Sequence, residues 1–122
     1  LAQFSHEVIV IGGNLKERTL AMVGPIAETN LSNFNVDKVF LGANGIGLQS
    51  GVTTPDLVEA STKKKMIEIA NEVIVLADHS KFNETSFIKV TNLDEVDNII
   101  TDSNINQQTL DELKDKVNII VG

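Results

Sequence analysis

Two short runs carry most of the chemistry open to this chain of 122 residues: Asp78-His79-Ser80-Lys81 and Gly42-Ala43-Asn44-Gly45-Ile46-Gly47. A carboxylate such as Asp78 can hold sugar hydroxyls or orient a neighbouring lysine, and the Lys81 ammonium can neutralise a phosphate. His79, between Asp78 and Ser80, is placed to hydrogen-bond a polar ligand. Small residues after a strand let a ligand come close to the backbone. Each run also has a plainer reading, a surface turn closed by a salt bridge for Asp78 and Lys81 and a tight turn for the glycines. Lys63-Lys64-Lys65 covers about 200° of a helix and reads first as a solvated face. Lys63 is the member nearest the side that could look back at Asn44.

Other chemistries lack their residues. The glycine spacing is not that of a dinucleotide fingerprint, and no G-x-x-x-x-G-K-[ST] run is present, so no nucleotide cofactor is expected. No serine lies in a G-x-S-x-G elbow, and neither histidine has an evident acidic orienter. His6 and His79 have no partner at metal-ligand spacing and the carboxylates show no cluster, so no metal is expected. The absence of cysteine removes thiolate nucleophiles and disulfides, and is compatible with a reducing cytoplasm.

These groups need elements to position them. Residues 7–11 (EVIVI) read as a buried strand, closed by Gly12-Gly13 in a turn that needs positive φ. Residues 19–23 suggest a second short strand, and Gly24-Pro25 opens a short helix to about Ser32. Val39-Phe40-Leu41 is the next strand, with residues 42–47 as the loop after it. In Thr53-Thr54-Pro55-Asp56, Thr54 reads as the cap and Pro55 as the first residue of a helix to about Ala70. Its buried side would hold Leu57, Ala60, Met66, Ile67, Ile69 and Ala70, with Lys64 and Glu68 exposed. Residues 72–77 hardly alternate, which favours an interior parallel strand. Strands at 86–90, 98–101 and 118–121 and a helix at 107–114 complete the pattern. It places the glycine loop and the Asp78 to Lys81 tip together at the carboxyl ends of parallel strands, where open α/β sheets bind ligands.

Length and a 42% hydrophobic composition suit one globular domain. The formal charge of −7 makes the surface repel phosphate backbones and anionic lipid, so this chain alone should bind DNA poorly. The longest apolar runs fall far short of the roughly 20 residues that span a bilayer.

Taken together, Ile11-Gly12-Gly13, the run from Thr19 through Pro25, Phe40-Leu41-Gly42-Ala43-Asn44-Gly45-Ile46, Gly51-Val52-Thr53-Thr54, residues 63–67 and Leu76-Ala77-Asp78-His79-Ser80-Lys81-Phe82 resemble the effector-binding domain of DeoR-type bacterial repressors. The resemblance implies a sensor for a phosphorylated sugar, joined in the parent protein to an amino-terminal winged helix-turn-helix that binds operator DNA. Two further strands and their loops normally precede the Gly-Gly strand in such domains. Residues 1–122 would then be a partial sensor domain, without the DNA-binding module or those strands, whose first loop is expected to be the main phosphate cradle.

The sensor fold is related to type A ribose 5-phosphate isomerase. Laying that enzyme's Asp-Gly-Ala-Asp loop on Leu41-Gly42-Ala43-Asn44 carries its Ala-Asp-x-Ser-Lys strand end onto Ala77-Asp78-His79-Ser80-Lys81 without a gap. Its two loop aspartates then fall on Leu41 and Asn44, its lysine on Thr54 and its catalytic glutamate on Lys63. A general base contributes about 10²- to 10⁴-fold, and neither Leu41 nor Lys63 can act as one, so no catalytic residue is expected.

The expected fold is therefore a Rossmann-like, mostly parallel α/β sheet flanked by helices, a ribose-5-phosphate-isomerase-like sensor fold lacking its first strands. The expected effector-binding residues are Gly42, Ala43, Asn44, Lys63, Asp78, His79 and Lys81. A homo-oligomer in the cytoplasm, with no membrane partner, completes the reading. The competing enzyme reading is a sugar-phosphate isomerase or deaminase that uses His79 and Asp78 as an acid-base pair.

Overall fold

The computed structural model describes residues 6–122. In chain order the elements are strands β1 (Asn14–Leu15) and β2 (Met22–Val23), helix α1 (Pro25–Leu31), strands β3 (Val36–Gly42), β4 (Gly45–Gly47) and β5 (Gly51–Thr54), helix α2 (Leu57–Glu68), strands β6 (Ala70–Leu76), β7 (Ile88–Thr91) and β8 (Asn98–Thr101), helix α3 (Gln107–Leu113) and strand β9 (Asn118–Val121). The main sheet has the order β3-β6-β8-β9 and is parallel throughout. A small antiparallel sheet, β4-β5-β7, and the hairpin β1-β2 complete the strands.

Alternation along the strands sorts side chains onto two faces. Val39, Leu41, Val73, Val75 and Ile99 point to one face and join Ala60 of α2, Ile46, Val52 and Val90 of the small sheet, and Leu113 of α3 in a single core. Fully burying a side chain of this size contributes about 1.5–3 kcal/mol. The other face carries Phe40, Leu76 and Ile120, which are 56%, 44% and 45% exposed, around a buried Ile74.

Several elements depart from expectation. Residues 7–11 form no strand, and Val8, Ile9 and Val10 are exposed. β-branched residues suit a pleated surface, but a strand also needs a partner, and among the described residues β3 pairs only with β6. The glycine turn behind them holds, with φ of +77° at Gly12 and +121° at Gly13. A side chain on Gly13 would put its Cβ 2.7 Å from that of Ala27. Only Met22–Val23 of the expected strand at 19–23 is extended, paired with β1.

The loop expected at 42–47 is shorter, because Gly45–Gly47 is strand β4. Gly45 serves chain packing rather than ligand approach, since a Cβ there would meet the Glu84 carbonyl oxygen at 2.3 Å. Gly42, by contrast, has open space where a Cβ would sit. Helix α2 is capped by Asp56, whose side chain accepts from the Val58 N–H, and Thr54 instead ends β5 fully buried. That shift of start leaves Leu57 67% exposed, whereas Ala60 is buried and Met66 and Ile67 pack on the core. Helix α2 also ends at Glu68 rather than Ala70, which opens β6.

Candidate effector site

Strands β3 and β6 end level with each other, Gly42 paired with Leu76, so the loops that follow leave the sheet side by side. Ala43 is partly buried against the core. The Asn44 N–H donates to the Thr53 carbonyl at 3.1 Å, and Asn44 Oδ1 accepts from the Thr54 hydroxyl at 3.2 Å. The Asn44 amide nitrogen has no protein acceptor among the described residues and is free to donate.

Lys63 does reach back to this loop, as its spacing suggested, but its ammonium donates to the Gly42 carbonyl at 2.8 Å and lies 3.4 Å from Glu59. It therefore holds the end of β3 against α2, and its charge is largely matched by Glu59. Lys16, from the turn between β1 and β2, pairs with Asp56 and lies 3.6 Å from Glu59. The hydrogen bond from Lys16 lowers the Asp56 pKa below its ordinary 3.8 and raises that of Lys16 above 10.5.

After β6, Asp78 caps a 3₁₀ turn over His79–Lys81 by accepting from the Ser80 N–H at 2.8 Å and from the Ser80 hydroxyl. These bonds, the hydroxyl's first, hold its carboxyl below 3.8. His79 has an acidic partner after all: Nδ1 lies 2.9 Å from Asp102 Oδ1, and its backbone N–H donates to Asp102 Oδ2 at 2.9 Å. The backbone donation is the main reason Asp102 also titrates below 3.8. The acid-base pairing of His79 with Asp78 is thus replaced by His79 with Asp102.

Asp78, His79 and Asp102 each offer a ligand atom, and these lie within 4.8 Å of one another, contrary to the expectation that the carboxylates show no cluster. Asp78 Oδ1, His79 Nδ1 and both Asp102 oxygens already have protein partners, Asp102 also accepting from the Asn104 N–H at 2.9 Å. Lys81 makes no ion pair or hydrogen bond through its side chain among the described residues. The next residue, Phe82, bridges to Ile46, and the Asn83 N–H donates to the Ile46 carbonyl at 2.7 Å, which draws the turn carrying Lys81 alongside β4.

Two cavities of about 450 Å³ each flank the end of β3. One is mainly apolar and lined by residues 9–11, Leu20, Phe40, Gly42, Lys63 and Met66, among others. The other is lined mostly by polar and charged residues, Asn44 with Lys16, Arg18, Asp56 and Glu59 among them. The expected residues thus fall into three groups: Gly42, bonded to Lys63 and followed by Ala43; Asn44, bonded to Thr54; and Asp78, His79 and Lys81 on the turn after β6. Asp102, Glu59, Lys16 and Arg18 were not foreseen. Asp102 follows directly on β8, so its place at a strand's carboxyl end was the one signal available; the others come together only through the tertiary fold.

The profile of the DeoR C-terminal sensor domain matches residues 1–103. The chain belongs to the DeoR C-terminal sensor domain family. Among its relatives, the HTH-type transcriptional regulator GlpR of Haloferax volcanii is 40% identical over 114 residues, covering 93% of this chain and 45% of that protein. The HTH-type transcriptional repressor GlcR of Bacillus subtilis is 38% identical over 107 residues, covering 88% of this chain and 41% of that protein. The transcriptional repressor AccR of Agrobacterium fabrum is 40% identical over 94 residues, covering 76% and 36%. The chain spans less than half the length of these relatives. All three are transcriptional regulators by name, not enzymes, and the α/β fold with its parallel sheet is that expected of a DeoR sensor domain. No helix among the described residues is long and apolar enough to cross a membrane.

Proposed function

We propose that residues 1–122 form a sensor domain of a DeoR-type repressor that binds a phosphorylated sugar without catalysis, and that operator DNA is contacted by another part of the protein. The observation that carries the non-catalytic reading is Leu41. This position, where the related isomerase has an aspartate, is 2% exposed and part of the hydrophobic core. Lys63, where that enzyme has its glutamate, is bonded to the Gly42 carbonyl. Proton transfer between neighbouring sugar carbons needs a carboxylate at the substrate, and neither position supplies one.

What supports binding is the set of donors at the ends of β3 and β6: the Asn44 amide, the Lys81 ammonium and the open backbone at Gly42. Asp78, Lys63, Ala43 and His79 complete the proposed site as its framework. The domain would act in the cytoplasm within a homo-oligomer, the effector favouring one arrangement of it. Such a switch requires unequal affinity for the two arrangements, with coupling of roughly 1–3 kcal/mol.

Calorimetric titration of sugar phosphates into the protein expressed from its full reading frame tests this. Saturable binding without turnover is expected. Lys81→Ala should weaken affinity and leave the melting temperature nearly unchanged, because the Lys81 side chain makes no hydrogen bond or ion pair among the described residues. Turnover of any sugar phosphate, or a loss of stability with normal affinity in Lys81→Ala, would overturn the respective part of the reading.

A further inference from the structure

The cavity that includes Asn44 is walled on one side by the turn joining β1 to β2, which supplies Lys16, Arg18 and Thr19. On the other side stand Asp56 and Glu59 at the start of α2. Its volume of about 450 Å³ lies in the range of small-molecule sites. The charges in and beside it are mostly spent on one another. Lys16 pairs with Asp56 and Glu59, and Glu59 also pairs with Lys63. Arg18 is the one cation of this lining without a protein partner among the described residues.

A second, independent feature marks the same turn. Its residues are held by the Lys16 N–H donating to the Ala21 carbonyl and the Leu20 N–H to the Lys16 carbonyl, both at 2.8 Å. This closure puts Leu20 at φ +59°, in the left-handed region. For a non-glycine residue that conformation is sterically disfavoured. Leu20 is 68% exposed, so burial of its side chain does not offset the cost. Backbone strain of this kind concentrates at ligand clamps and switch segments.

We infer that the β1–β2 hairpin is a wall of the effector site and that Arg18 is the ligand for the effector's phosphate. The guanidinium presents a planar fork of donors that matches phosphate oxygens two at a time. The Asn44 amide nitrogen and the carboxylates of Asp56 and Glu59 then face the sugar hydroxyls, as donor and acceptors. A hydroxylated monophosphate fits this mixed lining, whereas a bare anion meets the two carboxylates. Lys16 ties the hairpin to Asp56, the cap of α2. This inference rests on the sugar-phosphate reading above and adds to it the residue that recognises the phosphate.

The test is calorimetry on the protein expressed from its full reading frame. The probes are glucose 6-phosphate, fructose 6-phosphate and glycerol 3-phosphate, with glucose, fructose and inorganic phosphate alongside. At least one phosphorylated probe should bind more tightly than both its unphosphorylated counterpart and inorganic phosphate. Arg18→Ala should weaken that probe by about tenfold or more, as for loss of a charged hydrogen bond, with the melting temperature unchanged. Arg18→Lys should recover part of the affinity. Wild-type affinity in Arg18→Ala would overturn the assignment of Arg18 while leaving the sensor reading intact. Inorganic phosphate binding as tightly as every sugar phosphate would overturn the hydroxyl-recognising wall. No binding of any phosphorylated probe to the unaltered protein would sink the sensor reading, and this inference with it.

Discussion

The two faces of the main sheet are made from the same residue types and end in opposite surroundings. Leu41, Val75 and Ile99 lie on one face at 2%, 0% and 0% exposure, under α2, α3 and the small sheet. Phe40, Leu76 and Ile120 alternate with them on the other face and are about half exposed. Parallel sheets are generally covered on both sides, so apolar residues on both faces are what their sequences carry. The difference shows that alternation decides which side chains share a face, while the elements packed above decide whether that face is dry.

The largest contrast should come from charge. Leu41→Asp places an unpaired carboxylate in the core and should cost more than about 4 kcal/mol, enough to prevent folding. Phe40→Asp, one residue away on the open face, should cost about 1 kcal/mol or less in this chain. Urea denaturation of both variants checks this, and equal losses would mean that the open face is covered in solution. Truncation gives the next contrast. Ile99→Ala should cost about 2–5 kcal/mol and Ile120→Ala under about 1 kcal/mol, measured the same way.

A third change improves the buried face. Thr101 points to the same side as Ile99, and its hydroxyl is buried without a hydrogen-bond partner among the described residues. Thr101→Val should therefore raise stability by about 1 kcal/mol, read as a higher urea midpoint at unchanged slope. A loss of stability would reveal a hydrogen bond at that hydroxyl.

The mildest test concerns the rim where the strands end. Asp56, Asp78 and Asp102 titrate below the ordinary value of 3.8 in the folded chain. Their contribution is present above pH 3.8 and lost as pH falls through the folded values. Lys16 has the opposite sense: its share is present below pH 10.5 and lost as pH rises past its raised value. The melting temperature should fall on acidification below pH 3.8, and Asp56→Asn should make that fall shallower.

Much of the main sheet could be read directly from the chain. The runs at β8 and β9 start and end where expected, and β6 begins two residues before and ends one before its expected bounds, because the partners of all three are neighbouring strands in the same sheet. Residues 7–11 misled for the complementary reason: EVIVI states a preference for a pleated surface but cannot state which strand lies beside it. The Thr53-Thr54-Pro55-Asp56 run contains two good caps, and Asp56 takes the role because Thr54 completes the register of β5 with β7. At the site, the local bonds of Asp78 to Ser80 follow from adjacent residues. His79 with Asp102 and Lys16 with Asp56 join residues 23 and 40 positions apart, beyond the reach of spacing rules.

The order β3-β6-β8-β9 has a kinetic consequence. Every strand of the main sheet joins beside the one made just before it, so the sheet can assemble by successive addition at one growing edge. Each addition closes a segment of chain onto structure already present, which keeps the entropy of every step modest. During synthesis, β3 and β6 could pair around α2 before β9 has been made, and the sheet would then extend as the remaining chain appears. The sheet would thus be laid down in the order in which its strands are translated.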